Sequence, residues 1–127
     1  MTIEIIPTGA MLGAEVRGVD VSQPIDEGDA RALRDALAEH LVLLFRDQSI
    51  SVADHIRFAN SFGELGAIAD TLLGMGKRYY QPNEIPECVS VISNIKVDGK
   101  NIGSLGDGEC FWHTDSCFAE LPPSASL

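Results

Sequence analysis

At 127 residues the chain has single-domain length, and with 45% apolar and 22% charged residues it has the make-up of an ordinary globular protein. A net charge of −10, with no Lys/Arg cluster to neutralise phosphates, argues against a nucleic-acid surface. No stretch approaches the roughly 20 apolar residues of a bilayer-spanning helix, and Met1-Thr2-Ile3-Glu4 opens no signal peptide, so a cytoplasmic protein with no membrane partner is expected.

Ile3-Glu4-Ile5-Ile6 alternates enough for a strand, and Pro7-Thr8-Gly9 turns the chain. Residues 12–21 read as a second strand region, in which Gly13 and Gly18 predict a bulge or a close backbone approach; Ser22-Gln23-Pro24 breaks it. A helix follows from Asp26. Leu33, Leu37 and Leu41 recur every four residues beside Ala30 and Ala36, and Asp26, Glu27 and Asp29 put negative charge where the helix dipole favours it. His40 falls at the C-terminal end, where a cation meets the last carbonyls, a structural role rather than a ligand one. Leu41-Val42-Leu43-Leu44-Phe45 is a continuous apolar run that predicts a central strand covered on both faces. Ser51 with Asp54 forms a capping box opening a helix to about Phe62. Val52, Ile56, Ala59 and Phe62 make its buried stripe, His55 lies on its polar flank, and Gly63 closes it.

From residue 66 to 86 the periodicity fails. Gly66, Gly74, Gly76, Tyr79-Tyr80, Pro82 and Pro86 predict a long loop, either a lid over a site or a surface excursion. Cys88-Val89-Ser90-Val91-Ile92 reads as a strand. Asp98-Gly99, between Val97 and Lys100, signals a hairpin, because both central positions of a type I′ turn need positive φ. Residues 103–108 are glycine-rich but lack the strand-to-helix setting and the Lys of a phosphate-binding loop. A strand is expected over residues 110–118. Pro122-Pro123-Ser124-Ala125-Ser126-Leu127 then reads as a turn and the start of another strand, so the chain is expected to be the N-terminal part of something longer. No repeat or linker divides it, and residues 1–127 are expected to form a single domain.

The chemistry concentrates in Phe111-Trp112-His113-Thr114-Asp115. In a strand His113 and Asp115 would face the same way, roughly 6.6 Å apart. A neutral imidazole and a carboxylate so placed are two of the three ligands in the 2-His-1-carboxylate triad of non-haem Fe(II) oxygenases. Trp112, one position off, would point away and pack behind the strand. On these residues alone the plainer account stands ahead: a half-buried strand whose His and Asp bond each other or the backbone. A structural zinc site from Cys88, Cys110, His113 and Cys117 is a third reading. Geometry opposes it, since Cys110 and His113 face opposite ways in one strand and Cys117 lies roughly 13 Å along from His113. Three cysteines without a CxxC spacing fit reduced thiols instead.

The wider pattern is more specific. Trp112-His113-Thr114-Asp115, followed by Phe118, Glu120 and Pro122-Pro123, resembles the first metal-ligand segment of the taurine dioxygenase (TauD/TfdA) family of Fe(II)- and 2-oxoglutarate-dependent oxygenases. Leu12-Gly13-Ala14-Glu15-Val16-Arg17-Gly18-Val19-Asp20, Leu43-Leu44-Phe45-Arg46-Asp47-Gln48 and Phe62-Gly63-Glu64-Leu65 fall in that family's order and spacing. The resemblance runs from about residue 8 to the end. It implies an α+β, mainly β fold: a double-stranded β-helix, or jelly roll, with flanking helices, incomplete in this chain. It implies His113 and Asp115 as catalytic metal ligands for Fe(II), with 2-oxoglutarate as cosubstrate, O₂ and a small organic molecule as the other partners, and succinate and CO₂ as products. A second His and an Arg for the distal carboxylate of 2-oxoglutarate are implied further along than this sequence reaches.

Two departures bear on substrate. Gly66-Ala67-Ile68-Ala69 stands where the taurine-specific enzymes carry histidines, and Glu109 stands where they place an Asn on the substrate. A sulfonate facing Glu109 would be repelled, which argues against taurine and for a cationic or hydroxylated substrate. The alternative to an active enzyme is a non-catalytic fragment, because two protein ligands hold Fe(II) weakly and a half-built barrel leaves strand edges open. Homo-oligomerisation that supplied a second His in trans would complete the site, though no feature of the sequence points to it.

Overall fold

Two glycines set the limits of the second strand. Gly13 (φ +96°) and Gly18 (φ +79°) both occupy the left-handed region that side-chain-bearing residues rarely adopt, and Ala14–Arg17 between them is strand β2. Strand β1, Glu4–Pro7, pairs with it antiparallel, from Glu4↔Arg17 to Pro7↔Ala14. The strand expected over residues 12–21 is thus four residues long, and the close approach is at Gly18, where an added Cβ would lie 2.2 Å from the carbonyl oxygen of Thr2. The computed structural model describes residues 2–65, 86, 88, 89, 91–102, 104, 105, 112–114, 120 and 122–127. It divides into two units, Met1–Glu64 and Leu65–Leu127.

Helix α1, Glu27–His40, begins where charge and capping favour it. The Asp26 carboxylate accepts from the Asp29 backbone N–H at 2.9 Å, and Glu27 and Asp29 lie in the first turn. Ala30, Leu33 and Ala36 are buried, as the spacing predicts. Leu41 leaves the stripe: it caps the helix in the left-handed conformation (φ 65°), its N–H donating to the Leu37 carbonyl at 2.8 Å, and it is exposed.

Strand β3, Leu43–Phe45, runs parallel to β2 in the register Ala14↔Leu43 to Val16↔Phe45. The sheet order is β1-β2-β3, so β2 is central and β3 stands at the edge among the described residues. The expectation of a central strand covered on both faces is corrected here. Leu43 and Phe45 turn toward the core, whereas Leu44 on the opposite face is 41% exposed and Leu41 and Val42 precede the strand. An unbroken apolar run does not by itself say how many faces are covered.

Helix α2, Val52–Ala59, has the full capping box: the Ser51 hydroxyl accepts from the Asp54 N–H, and the Asp54 carboxylate accepts from the Ser51 N–H at 2.9 Å. It ends at Ala59, and residues 60–62 continue as tight turns, Ser61 N–H to Phe58 O and Phe62 N–H to Ala59 O. Its buried residue is Phe58, outside the expected stripe, while Val52 is exposed. Phe58 meets Phe45 and Phe62 edge to face, with centroids 5.2 and 5.3 Å apart, a geometry that sets the positive ring edge against a negative face.

The core gathers Val16, Val19, Val21, Leu33 and Phe58, with Ile3, Ile5, Ile25, Leu43, Phe45 and Phe62 packed against it. Polar tethers close the loops around it. The Gln48 side-chain oxygen accepts from Val21 N–H (2.9 Å), and its amide nitrogen donates to the carbonyls of Arg46 (2.8 Å) and Val19 (3.2 Å). Arg57 donates to the Ser22 carbonyl and to Asp54, each at 2.7 Å. Arg34 of α1 donates to the Ser61 carbonyl and to Glu27.

In the second unit the predicted hairpin is present. Strands β5 (Lys96–Val97) and β6 (Lys100–Asn101) pair antiparallel around Asp98 (φ 51°) and Gly99 (φ 74°), the two positive φ angles of a type I′ turn. The strand expected over residues 88–92 is shorter and later. Val89 N–H donates to the Pro86 carbonyl, closing a turn, and β4 is Ile92–Ser93, paired parallel with β7, Ser104–Leu105. These pairings and the mixed three-stranded sheet with its two helices do not amount to a complete double-stranded β-helix among the described residues. The loop expected over residues 66–86 lies outside them except for Pro86.

Candidate functional site

Of the residues singled out for chemistry, His113 is described. Residues 112–114 are exposed and belong to no strand or helix, and the Trp112 side chain is fully exposed. The expectation of a strand through this stretch, with Trp112 packed behind it, is corrected for these three residues. A strand needs a neighbour to take its N–H and C=O groups, and the strand pairings among the described residues do not include this stretch. Asp115, Glu109, Cys110 and Cys117 lie outside the described residues. Among the described residues, no three His, Cys, Asp or Glu side chains converge on a point that would hold a metal ion. Cys88, the fourth member of the zinc alternative, is a free, exposed thiol.

The donor chemistry fits a divalent iron even so. An imidazole and a carboxylate two residues apart in the sequence make a mixed N/O donor pair of the kind that non-haem Fe(II) takes. The other two histidines lie in the N-terminal unit: His40 ends α1, where its carbonyl accepts from Gly13 N–H at 2.8 Å, and His55 lies in α2.

Among the described residues, ion pairs gather in the N-terminal unit. Glu15 on β2 bridges two cations, Arg17 Nε at 2.7 Å and Arg46 Nε at 3.3 Å. The hydrogen bond from Arg17 holds the Glu15 carboxyl below its ordinary range; partial burial works against that, and Arg46 adds to the lowering. Arg17 is raised in turn, first by its bond to Glu15. The Asp54 carboxyl is lowered to about 2, chiefly by the Ser51 hydroxyl and backbone N–H and then by Arg57. These groups brace the sheet and the start of α2. Arg46 lies 31 residues on from Glu15, so no local pattern announces that partnership.

Residues 4–127 match the model of the "Taurine catabolism dioxygenase TauD, TfdA family", and the chain belongs to that family. It is similar to an alpha-ketoglutarate-dependent sulfate ester dioxygenase of Pseudomonas putida, 29% identical over 128 residues, which span 100% of this chain and 36% of the relative. It is also similar to an (S)-phenoxypropionate/alpha-ketoglutarate-dioxygenase of Delftia acidovorans, 33% identical, with 92% of this chain and 38% of the relative covered. Among solved structures, a taurine dioxygenase from Burkholderia xenovorans superimposes with a TM-score of 0.50 at 33% identity, over 53% of this chain and 25% of that one. AAD-2 in complex with Mn(II) and N-oxalylglycine gives the same TM-score at 33% identity, over 52% and 24%. The chain therefore spans little more than a third of the length of these curated relatives.

Proposed function

We propose that residues 1–127 are the N-terminal part of a single Fe(II)- and 2-oxoglutarate-dependent dioxygenase domain that hydroxylates a small organic substrate other than taurine, releasing succinate and CO₂. The observation that carries this reading is the family match over residues 4–127, which takes in His113-x-Asp115. Relatives named for alpha-ketoglutarate-dependent oxidation of sulfate esters and phenoxypropionate support the reaction class and a varied substrate range. The AAD-2 complex with Mn(II) and N-oxalylglycine supports a metal beside 2-oxoglutarate, whose chain N-oxalylglycine reproduces with N–H in place of one CH₂.

In this reading His113 would hold the metal through a ring nitrogen and Asp115 through a carboxylate oxygen. The oxidising chemistry, O₂-dependent decarboxylation of 2-oxoglutarate coupled to hydroxylation, is what iron supplies when bound. The other ring nitrogen of His113 needs an acceptor to fix its tautomer and aim. Glu109 sets substrate charge: its carboxylate repels a sulfonate and accepts from an ammonium or hydroxyl group. The 127-residue chain by itself is inactive in this reading, since two protein ligands leave the metal weakly held.

The test is succinate formation from 2-oxoglutarate by the longer protein that carries this segment, with and without His113→Ala, across sulfonates, phosphonates and amines. Loss of both coupled turnover and substrate-free decarboxylation in His113→Ala supports the assignment. Wild-type turnover in that variant would refute it, and succinate production by the 127-residue chain alone would refute the need for further ligands.

A further inference from the structure

We draw no further inference here: the strongest candidate, the exposed apolar cluster of Met11, Leu12, Leu41, Val42 and Leu44 along the β3 side of the N-terminal sheet, carries nothing because nothing in the structure shows what covers it.

Discussion

The described residues of the N-terminal and C-terminal units differ in what they pack against. In Met1–Glu64 a sheet residue (Val16), a helix residue from α1 (Leu33) and one from α2 (Phe58) meet in one core, and both helices carry their own caps. Among the described residues of Leu65–Leu127 the strands are two residues long, and those side chains whose burial is described are half-buried or exposed. A hairpin that short is marginal in water without a hydrophobic face to close on. Local signals and a core coincide in the first unit. Among the described residues of the second, the local turn chemistry is right and the strands are short.

Substitutions can break this contrast or sharpen it. The largest effect belongs to function: in the longer protein, His113→Ala is expected to lower succinate formation at least ~100-fold, beyond what loss of a residue merely supporting a ligand would cause. Amide exchange in Met1–Glu64 should stay as in the wild type. A simultaneous loss of protection there would mean that His113 acts through stability.

Next comes Leu33→Ala, which empties a fully buried site (0% exposed) where α1 meets the sheet. Urea unfolding should report a loss of about 2–5 kcal/mol. A loss under 1 kcal/mol would mean the N-terminal core is looser than its contacts imply. Gly18→Ala puts a Cβ 2.2 Å from the Thr2 carbonyl at a φ of +79°, and is expected to cost about 1–2 kcal/mol or more, with Thr2 and Ile3 displaced. Their amide resonances should shift before those of α2.

Ser51→Ala removes the α2 cap and should cost about 1 kcal/mol by thermal or urea unfolding. The same box gives a pH signature. Asp54 is lowered from 3.8 to about 2 in the fold, so its stabilising contribution is complete above about pH 4 and is lost as pH falls through about 2. Asp54→Asn should flatten the unfolding midpoint between those limits, and an unchanged slope would show that other carboxylates carry it. The smallest effect runs the other way. Leu41→Gly relieves a left-handed leucine (φ 65°) at the end of α1 and should stabilise by about 0.5–1 kcal/mol.

What the sequence revealed follows the range of the interaction. Asp26, the Ser51–Asp54 box and Asp98-Gly99 are settled by neighbours three residues away or fewer, and each appears as expected. Gly13 and Gly18 were legible as a bulge or a close approach; the close approach is at Gly18, and its partner, Thr2, was not legible. Of the expected α2 stripe Phe62 packs against the core and Val52 is exposed, while Phe58 was left out because spacing was weighed without size. Phe58 and Phe62 are four apart, and the two largest side chains should have fixed the buried face. Leu41-Val42-Leu43-Leu44-Phe45 misled because composition does not report where a sheet ends. The segment around His113 was legible as family, while the strand drawn through residues 112–114 relied on backbone partners that no local pattern encodes.

Gln48 shows how little tolerance one side chain can have. Its head group serves a donor at Val21 and two acceptors at Val19 and Arg46 at once, stitching the loop after β2 to the end of β3. Glutamate has the same length and shape, yet it would bring lone pairs against both carbonyls; lysine would answer the carbonyls and abandon Val21. Among side chains that reach this far, the primary carboxamide alone has both polarities in one plane, so at this joint chemical likeness is no guide to interchangeability.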